Sequence, residues 1–348
     1  MRERNKLKAA CPQPFGDWTN VLLQWLGLLL LVFLSPKTYA DPIKIVAPDA
    51  AAGDNFGYWL SLDDDLLAIS ATGVDSGGNA DTGATYVYRL EDNGTATYLT
   101  TLTAPDAAGG DQFGNPSIAG NFVAAGAWAA DAGGLTNSGA VYLFRVEDNG
   151  TTTFLSKLTA PDAAVEDSFG NEVFLTSDFL VVGATYATLG SEVFAGAAYV
   201  YSMDENGTAT FLTKLTSTDG LFLDTFGFPS MSGDILTIGA TGETVDTGAA
   251  YVYRMEANGT ATLLSKLTDP DEVTKDFFGY PSVYGDILAV GAGGVNLGGD
   301  TNAGATYLYR IEANGTATFL SKLTAPDAAA EDKFGESVSM TDDLLAIG

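Results

Sequence analysis

Beyond residue 40 the sequence contains no cysteine and no histidine; the single cysteine, Cys11, lies before that point. Structural disulfides, Cys/His zinc sites, thiol nucleophiles and a Ser-His-Asp triad are therefore excluded from residues 41–348. Basic side chains are also scarce. The chain has 16 Lys+Arg against 44 Asp+Glu, a net charge of −28, which argues against nucleic acid as a partner because phosphate binding needs a basic face. Long apolar runs are missing too, except for "VLLQWLGLLLLVFL" at residues 21–34.

That run belongs to an N-terminal address. Arg2, Arg4, Lys6 and Lys8 precede it, and "SPKTYA" ends at the small Ala40 before Asp41. This is the pattern of a signal peptide over residues 1–40, cleaved after Ala40. The apolar core, with Gln24 inside it, is shorter than the ~20 residues a spanning helix needs, so no membrane span is expected after cleavage. Cys11 lies ahead of the apolar core, the wrong place for lipoprotein acylation. Five of the basic and two of the acidic residues lie in this segment, leaving 11 basic and 42 acidic side chains and a net charge of −31 in residues 41–348. Such acidity suits a secreted or surface-displayed protein, or one of the periplasm, kept soluble where counter-ions screen the repulsion.

What is present is one sentence written six times. Phe-Gly recurs at Phe56, Phe113, Phe169, Phe226, Phe278 and Phe334, at steps of 57, 56, 57, 52 and 56 residues. A period of that length means stacked structural units. Each unit reads as four short strands, for example "FGNPSIA", "NFVAAGA", "GAVYLFRV" and "TTFLSKLTA", separated by Gly, Asp, Thr and Ser. Runs such as "AYVYR" and "LLAIG" are nearly all apolar, as expected of strands covered on both faces. Four-stranded antiparallel sheets stacked face to face around a ring predict an all-β fold, a β-propeller over residues 41–348.

The stretches "DNFG…LLAISA…DTGATYVY", "DQFG…FVAAGA…NSGAVYLF" and "DTFG…LTIGA…DTGAAYVY" resemble the FG-GAP repeats of integrin α-subunits and of many secreted proteins. The resemblance implies the propeller fold and a role in adhesion. Two departures stand out. The calcium loop of the integrin-like version has shrunk here to tight turns such as "LDDDL" and "SGDI", so its metal site is not carried over to any residue. The Pro of Gly-Ala-Pro is replaced by Thr72, Trp128, Thr185, Thr241 and Gly293. Residues 41–48 match a fourth strand and the chain stops within the second strand of unit six. A ring closing strand beyond Gly348 and a full count of six or seven blades are therefore expected, with open edges in the sequence as it stands.

Antiparallel order assigns the loops to two faces. One face carries short turns, with Asn-Gly at Asn93, Asn149, Asn206, Asn258 and Asn314. Asn-Gly favours a type I′ hairpin, and Thr follows as a strand former, so the N-x-T glycosylation sequon arises from turn chemistry; the five asparagines remain candidates for modification. Each has an acidic residue two positions earlier. The other face carries longer, dissimilar loops, with Asp75, Asp81, Trp128, Asp131, Tyr186, Glu192, Glu243, Asp246 and Asp300 as candidate ligand residues. There too lie six acidic pairs: Asp49/Asp54, Asp106/Asp111, Asp162/Asp167, Asp219/Asp224, Asp271/Asp276 and Asp327/Asp332. Their expected role is local: the first Asp closing an Asx-turn, the second bonding backbone amides. Weak calcium binding is the functional alternative, and no other cofactor is implied.

These observations predict a non-catalytic recognition module binding an extracellular protein or glycan through the long-loop face. The competing reading is a polysaccharide-active propeller enzyme, which needs two carboxylates in unlike environments, whereas here the acids repeat in near-equal contexts. A third is a structural spacer in a larger surface protein.

Overall fold

In a computed structural model the protein is described over Leu34–Ser35, Thr38–Tyr39 and residues 43–348, apart from 219–221, 243–247, 257 and 272–275. The expected signal peptide falls almost wholly outside the described residues. Five four-stranded antiparallel sheets follow one another, each with its strands in chain order. Blade one comprises Phe56–Asp63, Leu66–Ala71, Ala84–Leu90 and Ala96–Leu102, and blade two Phe113–Ala119, Phe122–Ala127, Ala140–Val146 and Thr152–Leu158. Blade three comprises Glu172–Leu175, Phe179–Ala184, Ala197–Met203 and Ala209–Leu215. Blade four runs from Phe228–Ser232 to Ala261–Thr268, and blade five from Phe278–Tyr284 to Ala317–Leu323. Unit six contributes Val338–Met340 paired with Leu345–Ile347.

The first strands of successive blades lie against one another, so they are the inner strands of the ring. Their contact explains the two glycines of the repeat. A Cβ on Gly126, the glycine of "GA" in blade two, would run into the carbonyl oxygen of Gly170, the glycine of "FG" in blade three. The same collision awaits Gly183 with Gly227, Gly239 with Gly279, and Gly291 with Gly335. Phe-Gly and Gly-Ala are therefore one contact split between neighbouring blades.

A second seam runs beside it. Phe113 N–H donates to Thr82 O at 3.0 Å and Phe169 N–H to Ser138 O at 3.0 Å, tying each Phe to the chain just ahead of the previous blade's third strand. Phe113, Phe169, Phe226 and Phe278 are fully buried. Each meets a third-strand tyrosine edge-on, with centroids 5.6 Å apart for Phe113–Tyr142 and 5.2 Å for Phe226–Tyr251. The cluster around Phe113 mixes Leu66, Ala68 and Val87 of blade one with Tyr142 and Phe144 of blade two, so the apolar core lies between blades. The second strand of blade one is buried along its whole length, which is why its sequence does not alternate.

Serines of the inner strands add a polar girdle: Ser61 Oγ accepts Ile118 N–H at 3.0 Å, Ser117 Oγ accepts Leu175 N–H at 2.9 Å, and Ser230 Oγ accepts Val283 N–H at 3.0 Å. The outer, fourth strands are the free edges. Each of the five is kinked by a register shift against the third strand, as between Val87 and Tyr88. Bulges of this kind discourage edge-to-edge pairing.

Two expectations are corrected. The Asn-Gly hairpins are not type I′. Positive φ falls on the glycine (82° at Gly94, 80° at Gly150) and not on the described asparagines. Gly94 N–H donates to Glu91 O at 2.8 Å and Glu91 N–H to Thr95 O at 2.8 Å, which is a type I turn closed by a left-handed glycine bulge. The three-residue loop begins at the acidic residue, so only one position needs the left-handed region. Residues 44–48 do not form a strand. Instead Ile45 and Ala47 pack on Tyr86 and Tyr88, the places Leu102 and Ala104 take beside Tyr142, and Tyr88 OH donates to Val46 O at 2.9 Å.

Candidate recognition face

The repeated acids are held by the scaffold. Asp106 Oδ1 accepts the Tyr142 hydroxyl at 2.8 Å while Oδ2 meets Lys157 Nζ at 2.7 Å. Asp162 does the same with Tyr199 and Lys214, both at 2.7 Å. Asp271 takes Tyr307 at 2.9 Å and Lys322 at 2.5 Å, both on Oδ2. Each lysine also lies over the ring of its tyrosine, 5.1–5.2 Å from the centroid in these three blades. Lys157 and Tyr142 are directly opposed across the third and fourth strands, so β-pairing brings cation and ring together and the preceding loop adds the carboxylate. The expectation that the first Asp of each pair closes an Asx-turn gives way, at Asp49, Asp106, Asp162 and Asp271, to acceptance of a tyrosine hydroxyl. Burial alone would raise Asp106 and Asp162, but hydrogen bonds from lysine and tyrosine, with the lysine charge, outweigh it and lower both. For Asp271 the bond from Lys322 is the largest influence, and its carboxyl is also lowered.

The second Asp behaves as expected. Oδ2 of Asp54, Asp111, Asp167 and Asp332 accepts the N–H of the residue three earlier, at 2.6 Å from Ala51 and 2.7 Å from Ala108, Ala164 and Ala329. Burial raises Asp111 and Asp167. Asp224 accepts Ser217 Oγ at 3.2 Å; its mate Asp219 lies outside the described residues, and Asp327 is exposed.

Blade one departs from this. Thr101 stands opposite Tyr86 where other blades have lysine, and Asp49 accepts the Tyr86 hydroxyl at 2.7 Å. Asp49, Asp54, Asp75 and Asp81 line one cleft there, of about 410 Å³. Among the described residues no group of three or more acids is arranged to hold a metal ion.

Blade five departs in the opposite sense. Asp269 occupies the place of Ala104 and Ala160, and both it and Asp276 are buried, 1% and 2% exposed. Asp269 Oδ1 accepts Asp271 N–H at 2.9 Å. Burial first, then the hydrogen bond and charge of Asp269, push Asp276 up to about 7. Sequence reasoning missed this pair; Ala-Pro-Asp changing to Asp-Pro-Asp was the available signal.

The long loops use some candidate residues to fix themselves. Asp75 Oδ1 accepts Asp81 N–H at 3.0 Å and Asp131 Oδ1 accepts Asn137 N–H at 3.0 Å. Glu192 receives Ser191 Oγ at 2.9 Å, and Tyr186 packs edge-on against Phe194 at 5.3 Å. Trp128, Tyr186 and Glu192 are half-buried, whereas Asp75, Asp81, Asp131 and Asp300 are exposed. Glu243 and Asp246 lie outside the described residues. On the opposite face Asn93, Asn149, Asn258 and Asn314 turn Oδ1 onto the N–H of the following Thr at 2.9–3.0 Å. At Asn206 that task passes to Asp204, whose Oδ1 takes Asn206 N–H at 2.9 Å and Thr208 N–H at 2.7 Å.

The FG-GAP repeat family model matches residues 40–88, 97–144, 152–201, 262–309 and 318–348. No protein sequence with a curated description matches significantly. Among solved structures, a hypothetical selenium-binding protein from Sulfolobus tokodaii is similar at a TM-score of 0.52 and 11% identity, over 86% of this chain and 74% of that one. A periplasmic gluconolactonase from Pseudomonas aeruginosa aligns over 89% of this chain and 91% of its own, at 0.41 and 11%. A Lactobacillus plantarum protein aligns over 84% and 91%, at 0.39 and 15%. At such identities likeness speaks to the fold alone. Five matched repeats, four of them running from the fourth strand of one blade into the next blade or unit six, place this chain in the FG-GAP repeat family as a β-propeller.

Proposed function

We propose that the protein is a non-catalytic recognition module, secreted or displayed at the cell surface, whose long-loop face binds an extracellular protein or glycan. The observation that carries this reading is the division of labour among the acids. Asp49, Asp106, Asp162 and Asp271 are engaged by tyrosine, and Asp54, Asp111, Asp167 and Asp332 by backbone amides, while the dissimilar loops expose Asp75, Asp81, Asp131 and Asp300. A rigid ring with unlike loops on one side is a common way to build a binding surface. The carboxylate pair in an unlike environment that a glycoside hydrolase requires has its nearest counterpart in Asp269 and Asp276, and their burial puts them out of reach of a polysaccharide.

The test is exchange of the loop from Trp128 to Asn137 for a short turn, with capture of protein and glycan ligands from arrays as the readout. Loss of capture with cooperative melting retained is expected, the melting temperature falling because the loop also supplies buried Ala130 and the acceptor for Ser168 N–H. Capture that survives this exchange and those of residues 185–194 and 293–302 would refute the assignment of the face.

A further inference from the structure

On the long-loop face, between blade five and unit six, lies a cleft of about 270 Å³. We propose that this cleft binds a single neutral sugar residue at the end of a glycan; the inference rests on the reading of this face as the recognition surface. Its walls include Phe277, Tyr280, Gly293, Asn302, Lys333 and Glu336.

The cleft exists because a side chain is missing. Gly293 follows the second strand at the position held by Thr72, Trp128, Thr185 and Thr241 in the other blades. Nothing in the backbone demands glycine there. Gly293 does not adopt a positive φ, and a Cβ would meet Lys333 O at 3.4 Å and the Cβ atoms of Glu336 and Lys333 at 3.6 Å, ordinary contact distances. Glycine at Gly126 or Gly239 is imposed by a neighbouring carbonyl; at Gly293 it leaves space that the fold would tolerate being filled.

One wall carries a residue that the fold disfavours. The residue just before Phe-Gly is left-handed in every unit, with φ of 52–55°, and it is Asn55, Gln112, Ser168, Thr225 and Lys333 in five of them. The sixth is Phe277 at 54°. A bulky aromatic in that region is strained, so its presence is not explained by the ring. Its partner wall is Tyr280, whose own ring leans edge-on against Phe228 at 5.2 Å. Two aromatic rings beside a cleft smaller than the ~300–1,000 Å³ of drug-sized sites offer an apolar surface for the C–H face of one pyranose.

The polar wall fits hydroxyls rather than ions. Lys333 Nζ and Glu336 Oε1 pair at 3.3 Å with both side chains about half exposed, so donor and acceptor stand side by side with no net charge. Asn302 adds an amide, its Nδ2 now donating to Glu331 at 3.1–3.2 Å. An anionic ligand would meet the field of a strongly acidic chain, and a free cation would find no unpaired carboxylate in this pair. A neutral polyol suits the set.

The experiment titrates the full chain with methyl glycosides of glucose, galactose, mannose and N-acetylglucosamine by saturation-transfer NMR and calorimetry. Saturable binding to at least one is expected, weakened at least tenfold by Gly293→Thr, which installs the residue of blades one, three and four, and by Tyr280→Ala. Both variants should melt cooperatively, and Asn302→Ala supplies the readout if either does not. No binding of any neutral glycoside, or binding that all folded variants retain, would overturn the inference. Such a result leaves the face assignment standing if exchange of residues 128–137 still abolishes capture; glycoside binding that persists while capture ignores every loop exchange would instead break the face assignment.

Discussion

Replacing Asp269 by alanine should stabilise the protein at alkaline pH and leave it nearly unchanged in acid. Alanine is what the chain uses at Ala104, Ala160 and Ala325, so the backbone there accepts it. In the native protein burial, then the hydrogen bond and charge of Asp269, push Asp276 from 3.8 up to about 7. A carboxyl raised on folding binds its proton more tightly in the native than in the unfolded state. Stability then falls as pH rises from about 4 to about 7, and the full penalty is present above 7. That rise corresponds to at most about 4 kcal/mol. Burial is the largest cause and remains in the variant, which removes only the hydrogen bond and charge of Asp269; with solvent screening, about 2 kcal/mol is the working expectation. The groups facing the pair are Asp271, Lys322, Tyr307 and Tyr309, and all remain in the variant. Thermal melts of the parent and of Asp269→Ala from pH 4.5 to 8.5 give a difference curve in which the other titrations largely cancel. At pH 8 the variant should melt about 4 °C higher, at the 2–4 °C per kcal/mol of larger domains. At pH 4.5 it should melt at or slightly below the parent, having lost the bond to Asp271 N–H. A pH-independent difference, or a variant less stable at pH 8, would refute the raised Asp276 carboxyl and its dependence on Asp269.

Gly139→Ala should cost about 3 kcal/mol or more, because φ is +82° and the new Cβ would collide with the carbonyl oxygen of Phe169; Gly120→Ala, at φ +55° with open space around it, should cost only about 1 kcal/mol. Denaturant midpoints compare the two, and equal costs would contradict the inter-blade seam. Ser117→Ala leaves the buried Leu175 N–H without its acceptor and should cost about 1–3 kcal/mol by the same measurement. Millimolar calcium should leave the melting temperature unchanged within about 1 °C, since metal bound to the native state would raise it by mass action; a rise of several degrees would restore the acidic pairs as metal ligands.

The ring itself was legible because its constraints recur. Phe-Gly every 52 to 57 residues and apolar second and third strands announce stacked sheets. Loop lengths then separate the two faces. Partners across the sheet were harder to see. The Tyr142–Asp106–Lys157 triad joins residues 36 and 51 positions apart, and only the register that sets Tyr142 opposite Lys157 reveals it. The type I turns at Asn-Gly were misread because the dipeptide alone does not fix loop length. The residues that differ between repeats carried the site, but as single letters: Asp269 for alanine and Gly293 for threonine gain meaning only once their surroundings are known.

The division between scaffold and rim is tested most directly by measuring ligand affinity and melting temperature together on two variants. In one, Asp106→Asn and Asp162→Asn are combined; in the other, the loop from Trp128 to Asn137 is shortened. The first should melt lower with its dissociation constant unchanged, and the second should lose affinity while still melting cooperatively. Loss of affinity from the asparagine pair with binding intact in the loop variant would contradict the account.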